Sequence, residues 1–199
     1  MSPAPLSLRF DDALLYACEH HRDQVRKGSG IPYVSHLLSV AALVLEMQGT
    51  EDEAIGALLH DVIEDGGGES ARVQIRERFG LDVEAIVLAN TDTTVEPKPP
   101  WHLRKEAYIA GIPGKHPAAL RVSLADKLHN ARSILLDLRT HGDDLWARFS
   151  SGEGASVRWY YRSLVEEFEA RREVLGEHAE PALDELHRTV DEIDRITAG

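Results

Sequence analysis

The chain has 199 residues, 43% of them hydrophobic, and a formal net charge of −12, enough length for one substantial domain spanning 1–199. The acidity argues against a duplex nucleic-acid binder, which needs a basic face to displace counterions, but it leaves room for a small phosphorylated ligand in a local basic pocket. No run of about 18 apolar residues suggests a membrane span, Met1 to Leu8 lacks the pattern of a secretory signal, and Cys18 is the only cysteine; a reducing cytoplasm is the expected location.

In chain order, Asp11 and Asp12 are expected to cap a helix running to about Arg26, with Leu14, Cys18, His21 and Val25 on one face and the Cys18 thiol buried and inert. Arg26-Lys27-Gly28-Ser29-Gly30 reads as a basic, flexible turn. Pro32 is expected to start a second helix with the stripe Leu37, Ala41, Val44 and Leu45, carrying His36 in its first turns and ending at Gly49. Thr50 and Glu53 form a capping box for a third helix. Ser70 is expected to cap a short helix that stops at Phe79-Gly80, and Asp82 to open another with Val83, Ile86, Val87 and Asn90 on one side. Thr91 to Pro100 reads as a loop. Trp101 to Ile112 reads as a helix carrying Arg104 and Lys105, broken by Pro113-Gly114. A long helix from Pro117 puts Leu120, Leu124, Leu128, Ala131 and Leu135 on its core side, with Asp126 and Asn130 one turn apart. Ser150-Ser151-Gly152 reads as a further break before two helices, about 154–197, one with Tyr161, Leu164, Val165 and Phe168, the other with Leu183, Leu186, Val190 and Ile193. No segment alternates as a strand would, so the expected fold is an all-α bundle.

The third helix carries the most informative stretch, Ala57-Leu58-Leu59-His60-Asp61-Val62-Ile63-Glu64-Asp65. At 3.6 residues per turn, His60 lies over Glu64 and Asp61 over Asp65, roughly 5–6 Å apart. One face then holds an imidazole and three carboxylates, while Ala57, Leu58, Leu59 and Val62 enter the core. Acids losing hydration beside one another need a compensating cation, and a metal ion is the simplest one. His36, His60, Asp61 and Asp126, on three helices, make a mixed nitrogen and oxygen donor set that suits Mn²⁺, Fe²⁺ or Zn²⁺. No cysteine contributes, which argues against a structural zinc site.

The order His36, His60-Asp61, Asp126 resembles the H…HD…D pattern of the HD-domain metal-dependent phosphohydrolases. Within these, Gln24-x-Arg26-Lys27-x-x-Gly30-x-Pro32-Tyr33-x-x-His36 and Ala57 to Asp65 resemble the first two motifs of the RelA/SpoT hydrolase domain. Phe79-Gly80-x-x-Val83 and Arg104-Lys105 fall where that family has similar residues. Val122-x-Leu124-Ala125-Asp126-Lys127-Leu128-His129-Asn130 resembles its last motif. The resemblance covers about residues 10–135, with a weaker echo in Trp159-Tyr160-Tyr161. The chain departs from the pattern at Gly66-Gly67-Gly68, where many members have Thr after the acids, and at Leu37, where many have Pro.

The resemblance implies an HD-type helical bundle that hydrolyses the 3′-pyrophosphate of (p)ppGpp with Mn²⁺. His36, His60, Asp61 and Asp126 would be the metal ligands and Glu64 and Asp65 the catalytic acids. Arg26, Lys27, Arg104 and Lys105 would contact phosphates, and Asn130 would orient the ribose or the ligand cluster. The stretch after Asn130 is too short for the synthetase domain of the long members, so a stand-alone small hydrolase is expected. The chemistry is consistent: arginine offers a planar fork to phosphate oxygens and lysine a point charge. Basic pairs are also ordinary solvated helix ends, and Tyr33, Trp159 and Tyr160 can either stack on a purine or belong to the core. A nucleotidase on the same site is the alternative enzyme; a nucleotide sensor with a degenerate site is the alternative from outside catalysis, and the retained Glu64 and Asp65 argue against it.

Overall fold

In the computed structural model, which describes residues 6–93, 97–148 and 154–198, the amphipathic stretches become helices and no strand is present among the described residues. The first helix, α1, is Leu8–His20, beginning before the expected caps Asp11 and Asp12 and ending short of Arg26. Ser7, not an aspartate, caps it by accepting from Arg9 N. It stops at His20, with His21 as its C-cap, because the following segment doubles back on itself. Arg26 N donates to Ile31 O (2.7 Å) and Tyr33 N to Gln24 O (2.9 Å), with Gly28 and Gly30 at the positive φ that this reversal needs. Cys18 is half-buried rather than buried.

Helix α2, Val34–Glu46, starts two residues after Pro32, buries His36 with Leu37, Ala41 and Val44, and leaves Leu45 exposed. Helix α3, Glu51–Leu59, opens with the expected Thr50–Glu53 capping box. Every residue from Glu53 to Leu59 is buried, because α3 lies in the middle of the molecule against α1, α2, α5 and α7. Gly56 permits one of these contacts: a Cβ there would stand 2.5 Å from Ile86 Cγ2.

Helix α4 is Gly68–Phe79, beginning at Gly68 with no side-chain cap, so Ser70 is not its N-cap. Gly80, at φ 96°, ends it as expected, and α5, Leu81–Asn90, buries Val83, Ile86, Val87 and Asn90. Helix α6 is Trp101–Gly111, followed by a single 3₁₀ turn at Ile112–Gly114. Helix α7, Pro117–His141, is the longest of the described helices at 25 residues. The expected break at Ser150-Ser151-Gly152 lies outside the described residues. Helix α8, Gly154–Ala170, a short α9, Arg172–Leu175, and α10, Glu180–Thr197, complete the chain. α10 packs on α7 and α8, and one hydrophobic cluster extends from Ala13 to Ile193. No helix among the described residues is long and apolar enough to cross a membrane.

Candidate active site

The third helix does not continue through the acids. It ends at Leu59, and Ile63–Gly67 forms a π-type turn in which Asp65 (φ −92°, ψ 38°) and Gly66 (φ 106°) leave helical geometry. Gly68 is also left-handed, at φ 51°. At Gly67 a Cβ would overlap the Val62 carbonyl and the Ala71 side chain. Three consecutive glycines therefore allow a tight turn where the helical period called for another helical turn. The expected single face with one imidazole and three carboxylates is replaced by three separate environments.

The first environment is the ligand cluster. The ligand atoms of His36, His60 and Asp126 lie within 4.8 Å of one another, and all three residues are buried. His36 Nε2 is 3.2 Å from Asp126 Oδ1, and His60 Nε2 is 3.0 Å from Asp61 Oδ2. Asp61 Oδ2 also stands 3.7 Å from His36 Nε2. His60 Nδ1 lies 2.8 Å from Ala57 O, a contact that only its proton can make, so in the neutral imidazole Nε2 faces the cluster as a lone pair. That nitrogen is buried and has no hydrogen-bond partner among the described residues. A buried acceptor without a donor, converging with carboxylate oxygens and a second imidazole, fits a divalent cation.

The electrostatics reflect the crowding. Burial pulls the His60 pKa down, but Asp61 and Asp126 outweigh it and the net shift is upward; the carboxylates favour positive charge at Nε2, which a proton supplies in the absence of an ion and a divalent cation would supply in its place. Burial dominates at His36 and lowers its pKa against the pull of Asp126. Burial would raise Asp61 and Asp126, yet Asp61 is lowered by His60, and Asp126 by Lys127 and the two imidazoles. Behind His36, its Nδ1 lies 2.8 Å from His129 Nδ1. Burial, then His36, lowers the His129 pKa to about 4, so His129 is neutral and can accept the His36 proton. Such a contact fixes a ligand's tautomer.

The second environment runs from α7 to the hairpin after α1. Lys127 Nζ donates to Asp126 Oδ2 (2.6 Å) and sits 4.5 Å from the Tyr108 ring. Asn130 Nδ2 donates to Asp126 Oδ1 (2.5 Å), and Asn130 Oδ1 accepts from Arg26 Nη2 (2.8 Å). The Tyr33 hydroxyl donates to Asp61 Oδ2 (2.5 Å), which commits Tyr33 to the ligand cluster. Lys27 is exposed on the hairpin, outside this network.

The third environment was not anticipated. Glu64 accepts from the Asp92 backbone N–H and from Lys98 Nζ, each at 3.1 Å. Asp92 Oδ2 in turn binds Arg104 Nη1 and Lys105 Nζ, the latter at 3.1 Å, and Lys105 lies 5.2 Å from the centre of the Tyr160 ring. Asp92 and Lys98 are thus functional candidates outside the motifs, and Lys127 is one that stands inside the last motif without an assigned role. The only hint was an acid in the loop just before Arg104-Lys105. Tyr160 is buried, whereas Trp159 is 37% exposed, its ring 4.5 Å from that of His102. Asp65 stands apart, with Oδ2 accepting from Gln24 Nε2 at 2.7 Å.

Comparisons with known proteins bear on the family and the fold. A family profile described as HD domain matches residues 13–155. The guanosine-3′,5′-bis(diphosphate) 3′-pyrophosphohydrolase MESH1 of Homo sapiens is 35% identical over 126 residues, covering 62% of this chain and 68% of that protein. The Xenopus tropicalis protein of the same name is 36% identical over 126 residues, with the same coverage. GTP pyrophosphokinase rsh of Brucella melitensis is 35% identical over 129 residues, 63% of this chain but 17% of that longer protein. Among solved structures, one described as a metazoan ortholog of SpoT that hydrolyses ppGpp superposes with a TM-score of 0.70 at 28% identity, covering 96% of this chain and 97% of that one. The crystal structure of lmo0812 from Listeria monocytogenes EGD-e superposes with a TM-score of 0.67 at 27% identity, covering 80% and 99% respectively.

Proposed function

Because the chain belongs to the HD-domain family, we propose that it is a stand-alone hydrolase removing the 3′-pyrophosphate of (p)ppGpp, releasing GDP or GTP and pyrophosphate, with Mn²⁺ as its ion. The observation that carries the reading is the buried meeting of His36, His60, Asp61 and Asp126, flanked by the cations Arg26, Lys98, Arg104 and Lys105. The similarity to MESH1 supports the substrate.

In this reading the four cluster residues hold the ion, which, when bound, polarises a phosphoryl group and makes a water more acidic. His129 and Lys127 keep His36 and Asp126 in a single orientation. Asn130 links Asp126 to Arg26, so the guanidinium is held ready for a phosphate and can exchange one acceptor for another. Arg104 and Lys105, gathered on Asp92, and Lys98, beside Glu64, supply the remaining positive charge that a pyrophosphate requires. Lys27 reaches the substrate from the exposed side of the hairpin. Glu64 and Asp65 receive and return protons at their carboxylate oxygens.

The test is a turnover assay of the Mn²⁺-loaded protein with ppGpp, in which GDP and pyrophosphate are the expected products. Release of single phosphates would overturn the pyrophosphohydrolase reading in favour of a nucleotidase.

A further inference from the structure

Asp65 sits in a non-helical turn beside Gly66, with its side chain exposed. Nothing within that turn determines where its carboxylate points. The constraint comes from the other side of the chain, where Gln24 Nε2 donates to Asp65 Oδ2 at 2.7 Å. A carboxylate only accepts, so the carboxamide must present its NH₂ group to it. The carboxamide oxygen then faces away, 2.6 Å from His21 Nδ1. That oxygen also only accepts, so His21 must carry its proton at Nδ1.

His21 is well placed to impose this order. It is 2% exposed, stacked on the Tyr33 ring (5.1 Å between centroids, 29° between planes) and edge-on to His20 (4.7 Å, 72°). Its Nε2 is buried and has no partner among the described residues; with the proton on Nδ1 that atom is a bare lone pair rather than a stranded N–H. The same Tyr33 donates to Asp61. One buried imidazole thus backs one carboxylate before the turn, Asp61 through Tyr33, and one within it, Asp65 through Gln24.

We propose that Gln24, oriented by His21, is the positioning residue that aims the Asp65 carboxylate for proton transfer; the proposal rests on the reading of Asp65 as a catalytic acid. The Gln24 backbone has a separate role, since its carbonyl closes the hairpin to Tyr33 N, so side-chain substitutions leave that contact in place. Gln24→Leu should lower kcat about 10–100-fold, the usual cost of losing an outer-shell partner, with KM and metal content within a few-fold of wild type. In an Asp65→Asn background the same substitution should cost no more than about 3-fold, because the interaction it serves is already gone. Equal fractional losses in the two backgrounds would overturn the proposal. His21→Asn, whose side-chain NH₂ can stand in for Nδ1–H, should retain more activity than His21→Leu; equal losses would remove His21 from it. A readout that needs no substrate is the Gln24 side-chain amide in the ¹⁵N–¹H spectrum of the full chain. That resonance should shift on Asp65→Asn, and an unmoved resonance overturns the contact. A wild-type protein inert toward ppGpp would refute the assigned activity, while the spectrum would still decide whether Gln24 holds Asp65.

Discussion

The side chains of Glu64 and Asp65 follow one another in sequence yet work in different surroundings, and this sets what their substitution should do. Glu64 is tied to Lys98 and the Asp92 backbone, Asp65 to Gln24, and neither is among the three buried groups that converge most tightly. Glu64→Gln and Asp65→Asn should therefore each keep near-normal metal content while turnover falls about 10²–10⁴-fold. Metal analysis and single-turnover rates on the same preparation check this, and loss of the ion with the activity would make the acids ligands instead. A second residue-scale expectation concerns Lys115. Burial, then the charge of Lys127, lowers its pKa from 10.5 to about 7; its amine donates to the Ala89 carbonyl and lies 4.5 Å from the centre of the Tyr108 ring. Between those two pKa values the unfolded chain holds the proton more tightly than the folded one. This residue's contribution to stability should therefore rise with pH from about 7 to 10.5, by at most about 1.4 kcal/mol per pH unit, and be constant below that window. The difference in unfolding free energy between wild type and Lys115→Met should show that slope, and a flat difference would mean the buried amine stays charged. At this scale the sequence was most legible where residues follow a motif, as with His36, His60 and Asp126. It was silent on Asp92 and Lys115, whose importance comes from what the chain folds against them.

Helix existence could be read from apolar spacing almost throughout, because burial on α2, α3, α5 and α7 enforces the helical period. Helix ends were less legible. α1 stops at His20 because the Gln24–Tyr33 hairpin competes for the chain, and α3 stops at Leu59 because a glycine run permits a turn that intrinsic periodicity does not foresee. That turn can be tested as an element. Gly67→Ala would drive a methyl into the Val62 carbonyl and the Ala71 side chain. We expect a loss of about 1–3 kcal/mol from overpacking, together with a fall in kcat as Asp65 moves. Denaturant unfolding and steady-state rates measure both. Unchanged stability and rate would show that the turn tolerates bulk and that its glycine is incidental.

Across the whole molecule, the helix order was visible in the sequence but the central place of α3 was not, since nothing local says which helix will be surrounded. One feature that secures this arrangement is a buried ion pair. Glu53, 1% exposed, binds Arg121 Nη2 at 2.6 Å and the Thr50 backbone N–H at 2.6 Å, joining the start of α3 to α7. Removing the arginine would leave a buried carboxylate without its cation. Arg121→Ala should therefore destabilise the fold by about 3–5 kcal/mol, whereas Glu53→Gln should cost less; urea unfolding of both variants decides, and a loss below 1 kcal/mol for Arg121→Ala would show that water screens the pair. The spread of the ligand cluster over α2, the end of α3 and α7 has a consequence in time. During synthesis the two histidines leave the ribosome long before Asp126 does. A nascent chain paused before α7 would hold an incomplete donor set and nothing to press α3 into place. The protein should thus acquire its ion and its fold late and together, and truncated chains ending before α7 should be both metal-poor and prompt substrates for proteolysis.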